Sequence, residues 1–245
     1  MDIPLVLVLA FLAGASTLVG GIISIMYDTD KRGLHFVLTA SSGIVFSVVM
    51  LGVLQLSLKL GTILYTALGF ILGGVAMIVA VSVFPHTYGA ERYGDRLYSL
   101  LKTESLVVSG IITHNLPAGL LIGSCFAISQ PIGLVLLAAV FLQNIPRGMA
   151  INAPLLRINL IRPRILLIML LAGIPAMVGA LLAFASLAGL IPIFQASGMA
   201  FAAGAFFFVC IDQLVPLVKS YSRMHETAAA LFIGIFFGVL LLGIG

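Results

Sequence analysis

His114-Asn115-Leu116-Pro117-Ala118-Gly119 and, in the next apolar segment, Gln143-Asn144-Ile145-Pro146-Arg147-Gly148 are two versions of one hexapeptide. Each sets Asn, Pro and Gly at the same places within long runs of Leu, Ile, Val and Ala. Imidazole, amide and guanidinium groups are expensive in such surroundings and mark functional positions where they occur. Pro117 and Pro146 each remove an N–H and free the carbonyl four residues back, that of Thr113 or Leu142. The doublet therefore predicts a polar site between two adjacent kinked helices. His114 and Ala118 share one helix face and Gln143 and Arg147 another, with Asn115 and Asn144 lying about 100° round from His114 and Gln143. Neither copy contains a carboxylate.

Working outward, 62% of the 245 residues are hydrophobic, 8% are charged, and the mean hydropathy is +1.26. That much apolar surface excludes a soluble domain and calls for an all-α polytopic membrane protein. The net charge of +4 is a matter of loop topology, so nucleic acid is not an expected partner. Cys125 and Cys210 lie inside apolar segments with no Cys-x-x-Cys partner, which argues against a disulfide framework. Runs of roughly twenty apolar residues predict eight transmembrane helices. They fall near 4–26, 36–58, 62–84, 106–128, 132–154, 165–189, 193–218 and 227–244, within one transmembrane domain over 1–245. The first segment lacks a basic start and a cleavage site, so it reads as a permanent span rather than a signal peptide.

The odd-numbered loops carry Lys31, Arg32, Arg92, Arg96, Lys102, Arg157, Arg162, Arg164, Lys219 and Arg223. The even loops and both termini carry Lys59 alone, and Arg147 is intramembrane. This asymmetry puts the odd loops in the cytoplasm and both termini outside the cell membrane. Tyr27, Tyr88 and Tyr221 fall near the expected interfaces. Leu12-Ala13-Gly14 with Val19-Gly20-Gly21 in span one recurs as Leu171-Ala172-Gly173 with Val178-Gly179-Ala180 in span six. Gln55-Leu56 and Gln213-Leu214 close spans two and seven alike. Copies five helices apart run in opposite directions, which predicts inverted three-helix repeats around a central pair. Gly and Ala also recur wherever membrane helices pack closely, so composition alone does not separate the two readings.

Eight spans with both ends outside and paired motifs on spans four and five resemble the ZIP (zinc- and iron-regulated transporter-like) family of divalent-metal transporters over the whole chain. The resemblance implies a paired metal site between spans four and five, completed by acidic ligands from spans two and seven. On that basis His114, Asn115, Gln143, Asn144, Asp212 and Gln213 are the candidate metal ligands, with Pro117 and Pro146 as the kinks. Ala118 and Arg147 stand where the motif glutamates would be, Gln143 where a histidine would be, and Gln55 and Gln213 where further acids would be. A divalent ion leaving water needs negative ligands, which imidazole and neutral amides do not supply. A guanidinium about 4 Å from the ion repels it by several kcal/mol at an effective dielectric of about 20. Asp212 is the sole acid deep in a span, so an Arg147–Asp212 pair that occupies the metal's place is expected.

Three functions follow. The chain is a ZIP-like transporter of divalent metal, zinc first, with an altered site; or a non-transporting scaffold locked by Arg147 and Asp212; or a carrier of an anionic or zwitterionic solute received by Arg147. No nucleophile–base pair suggests an enzyme. No resident cofactor is expected beyond a transported or weakly bound divalent metal. The expected partners are the lipid bilayer, the metal ion or small solute, and a second copy in a homodimer. His35, His86 and His225 read as interface residues and Lys59 as a snorkelling side chain.

Overall fold

The computed structural model describes residues 2–27, 30–83, 96–220 and 224–244. His86, Tyr88 and Tyr221 lie outside the described residues. Eight helical segments are long and apolar enough to cross a membrane. They are spans one to eight: Ile3–Met26, Lys31–Leu60, Ile63–Ser82, Glu104–Ile128, Gln130–Arg157, Arg162–Leu187, Pro192–Val215 and Met224–Ile244. Each matches a span expected from hydropathy, and no strand occurs among the described residues. The chain is thus an all-α polytopic membrane protein.

Local chemistry sets many of the ends. A proline in the first turn opens the helices that begin spans one, five and six, where a missing N–H costs nothing. Span five ends at Asn159, held in the left-handed region at φ 57°, and span six ends near Gly189 at φ 80°. The Asn159 and Leu160 N–H groups then bond to the carbonyls of Leu156 and Leu155, closing the last turn. Spans four and five run as continuous helix through Pro117 and Pro146. Helical breaks lie in spans one and six, at Ser16 and Ala172.

Those breaks belong to a repeated pattern. Spans one and six cross where Gly14 meets Ala172 and Gly173, and Gly173 meets Phe11. Equivalent positions of the two repeats therefore touch, as they must near a two-fold axis. Around that crossing the contacts come in pairs. Gly119 of span four lies on the Ala176 carbonyl of span six, and Gly148 of span five lies on the Thr17 carbonyl of span one. Gly179 lies on the Leu116 carbonyl, and Gly20 on the Ile145 carbonyl. Farther out, Gly73 and Gly204 join spans three and seven through Phe201 and Phe70, while Gly234 and Gly43 join spans eight and two through Ala40 and Leu231. Every pair maps the first three spans onto the last three and span four onto span five. The recurrence of Gly and Ala in the sequence is thus matched by recurrent contacts. In hydrocarbon, where burial from water drives nothing, such backbone approach is what holds helices together.

One departure from the pattern matters. Val48–Val53 in span two is a π-helical stretch. Each extra residue in such a stretch turns everything beyond it by about 100° relative to an unbroken α-helix. Gln55, expected from the resemblance to replace an acidic ligand, is exposed two residues after this stretch. It is not enclosed with the doublet.

Candidate functional site

His114 sits on the inner face of span four and is fully buried. Its Nδ1 is 3.1 Å from the Gln213 Nε2 of span seven. The Phe206 ring, two turns earlier on span seven, meets the imidazole edge-on with centroids 5.3 Å apart. Gln143 of span five is buried, and its Nε2 donates to Cys210 Sγ at 3.6 Å. Phe206, Cys210 and Gln213 follow at helical spacing along one face of span seven. Spans four, five and seven thereby converge on a site of one imidazole, two amides and one thiol.

The two motif asparagines serve the helix breaks. Asn115 Nδ2 donates to the Ala172 carbonyl at 2.7 Å, and Asn144 Nδ2 donates to the Ala13 carbonyl at 2.8 Å. Ala13 and Ala172 are the equivalent residues of the Leu-Ala-Gly repeat, so the two bonds are images of each other. The Ala13 carbonyl also accepts from Ser16 Oγ at 2.7 Å. Exposed to lipid, such carbonyls would cost several kcal/mol each, roughly.

Among the imidazole and amide side chains of the doublet, four buried polar atoms have no hydrogen-bond partner among the described residues: His114 Nε2, Asn115 Oδ1, Gln143 Oε1 and Asn144 Oδ1. Ala118 is 1% exposed and lies in the apolar core, so the position expected for a bridging glutamate is filled by hydrocarbon packing. Arg147 is partly buried, and its Nη2 donates to the Gly110 carbonyl at 3.0 Å, joining span five to span four. Asp212, next to Gln213, is partly buried on span seven. Among the described residues, no three His, Cys, Asp or Glu side chains gather as a metal site.

The other histidines are placed as follows. His35 is buried, with Nε2 2.9 Å from Thr227 Oγ1, so it joins spans two and eight rather than facing an interface. His225 and Lys59 are exposed. Cys210 and Phe206 were not among the candidate ligands. Their signal was present in the spacing Phe206, Cys210, Gln213, but a cysteine in an apolar run is ordinarily packing.

The sequence profile described as "ZIP Zinc transporter" matches residues 95–244, more than half of the chain. The curated protein called zinc transporter ZupT from Shigella dysenteriae serotype 1 is 26% identical over 243 residues, covering 96% of this chain and 93% of its own length. Zinc transporters ZupT from Salmonella enteritidis PT4 and Escherichia fergusonii are likewise 26% identical, with the same 96% and 93% coverage.

Proposed function

The chain belongs to the ZIP zinc transporter family, and from that premise we propose that it carries metal ions across the cell membrane through the site between spans four, five and seven. The observation that carries this reading is His114, a wholly buried imidazole with Nε2 unengaged and Nδ1 set against Gln213. An imidazole held by an outer polar partner is how proteins present a metal ligand. The relatives are named zinc transporters, which makes zinc the first divalent ion to test. With Ala118 and Arg147 in the glutamate positions, affinity for a divalent ion is expected to be low. The odd loops face the cytoplasm and both termini lie outside, as the basic residues require.

Zinc, manganese and iron uptake into proteoliposomes tests this. Uptake that His114→Ala abolishes supports it. Uptake that is indifferent to His114→Ala overturns it.

A second reading has its own support. The Arg147–Gly110 bond ties the two central spans together. With Asp212 as counter-charge, Arg147 would lock the scaffold and take the place of the ion. On that reading the wild type takes up no metal, and Ala118→Glu, Arg147→Glu and Gln213→Glu together create metal binding, measured by calorimetry. A triple variant as inert as the wild type excludes the lock.

A further inference from the structure

The face of span seven that meets His114 carries sulfur. Phe206 touches the imidazole and Gln213 touches its Nδ1. Cys210 lies about one turn from each, on the face of span seven that meets His114. Gln143 fixes the sulfur by donating to Sγ. His114 Nε2, fully buried, has no partner among the described residues. We propose that this site takes a monovalent soft cation, of the copper(I) or silver(I) class, held between Cys210 Sγ and His114 Nε2. The proposal rests on the metal-transport reading above and names a different substrate class for it.

Three physical arguments favour this cargo over a divalent ion. The first is donor number and type: one thiolate and one imidazole complete a two-coordinate shell of the kind copper(I) and silver(I) accept, whereas zinc shares these donors but takes four ligands, and magnesium, calcium and manganese prefer carboxylate and carbonyl oxygen. The second is charge. The cost of taking an ion out of water grows with the square of its charge, so a monovalent ion needs no carboxylate cage. The third is Arg147. On binding, the Cys210 S–H bond breaks, a sulfur–metal bond forms and one proton leaves to water. The imidazole Nε2 lone pair makes the second bond. Thiolate and monovalent cation sum to zero charge, so the guanidinium on span five meets no net repulsion. A divalent ion on the same two ligands keeps a net positive charge.

The Gln213 amide accommodates the change by turning over, so that its carbonyl accepts an Nδ1–H and leaves Nε2 bare. Further sulfur lies along the same seam. Cys125 is on the His114 face of span four and Met199 on the Cys210 face of span seven, each about three turns away and each fully buried in one apolar core.

The test uses the full chain in lipid nanodiscs, with silver(I) and zinc(II) as probes in chloride-free buffer. Calorimetry gives affinity and X-ray absorption gives the donor atoms. The measurements are repeated with Cys125→Ser, which leaves Cys210 as the sole thiol. One silver(I) bound by one sulfur and one nitrogen, in both backgrounds, is the expected result. Cys210→Ser and His114→Ala should each weaken it about tenfold or more. His114→Met, which keeps a soft donor, should largely restore it. Silver binding that survives Cys210→Ser, or that disappears in Cys125→Ser, overturns the proposal. Zinc bound more tightly than silver through His114, indifferent to Cys210→Ser, overturns it too and leaves the divalent reading standing. Binding of neither ion overturns both.

Discussion

At the scale of single residues, an amide that donates to a carbonyl at a helix break satisfies a group for which hydrocarbon offers no partner. Asn115 does this for Ala172 and Asn144 for Ala13. Interhelical hydrogen bonds of this kind contribute about 0.6–2 kcal/mol in membranes. Asn115→Leu and Asn144→Leu should therefore each destabilise the fold by ~1 kcal/mol or somewhat more, by similar amounts, in reversible unfolding from bicelles. A large effect at one and none at the other would break the equivalence. His114 and Gln213 differ from this pair, because His114 Nε2 is left open. Their substitution should show in metal binding before it shows in stability. The Arg32–Glu226 pair is exposed at 58% and 30% of its side chains, so its loss should change stability by under ~1 kcal/mol.

At the scale of elements, the packing of spans four and five depends on two glycines. A Cβ at Gly119 would strike the Ala176 carbonyl, and one at Gly148 the Thr17 carbonyl. Backbone cannot step aside as a flexible side chain does, so the helices must separate. Gly119→Ala and Gly148→Ala should each cost about 1–3 kcal/mol, read as a lower midpoint in thermal unfolding. Gly33, also helical, has open space where its Cβ would be. Gly33→Ala should be neutral or stabilise by roughly 0.5–1 kcal/mol, since alanine loses less backbone freedom. If all three behave alike, close approach is not what these glycines provide. The π-helical stretch of span two acts at this scale too. It has no proline or charge to announce it, and nothing in the apolar run Val48–Val53 distinguishes it from α-helix. Gln55, two residues beyond it, is exposed.

At the scale of the whole molecule, the two-fold pattern and the charge asymmetry make one joint prediction. Ser129, between spans four and five, and Asn159, between spans five and six, lie at opposite ends of span five. Ser129→Cys should react with an impermeant maleimide added to intact cells, and Asn159→Cys only after the cells are opened. The native Cys125 and Cys210 are buried and should stay silent in both conditions. Labelling of both new cysteines from outside would contradict the assigned topology. The ion pairs Arg32–Glu226 and Arg164–Glu104 both fall at the odd-loop ends of their spans, where the basic residues gather.

The sequence by itself determined the eight spans, because twenty apolar residues in a row have no stable alternative to crossing a bilayer. It also located the doublet, since polar groups in such runs stand out against their background. Which partners those groups take was decided only by the tertiary structure. Asn115 and Asn144 lie among the candidate ligands by motif, yet their amides bond to carbonyls two spans and four spans away in the chain. Cys210 looks like packing until Gln143 of another span donates to it and Gln213 beside it meets His114. Periodicity describes one helix at a time, whereas a site between helices depends on how they cross. Here glycine contacts around a two-fold axis set that crossing, and they set imidazole, amide and thiol together where the motif alone gave an imidazole and amides without a carboxylate.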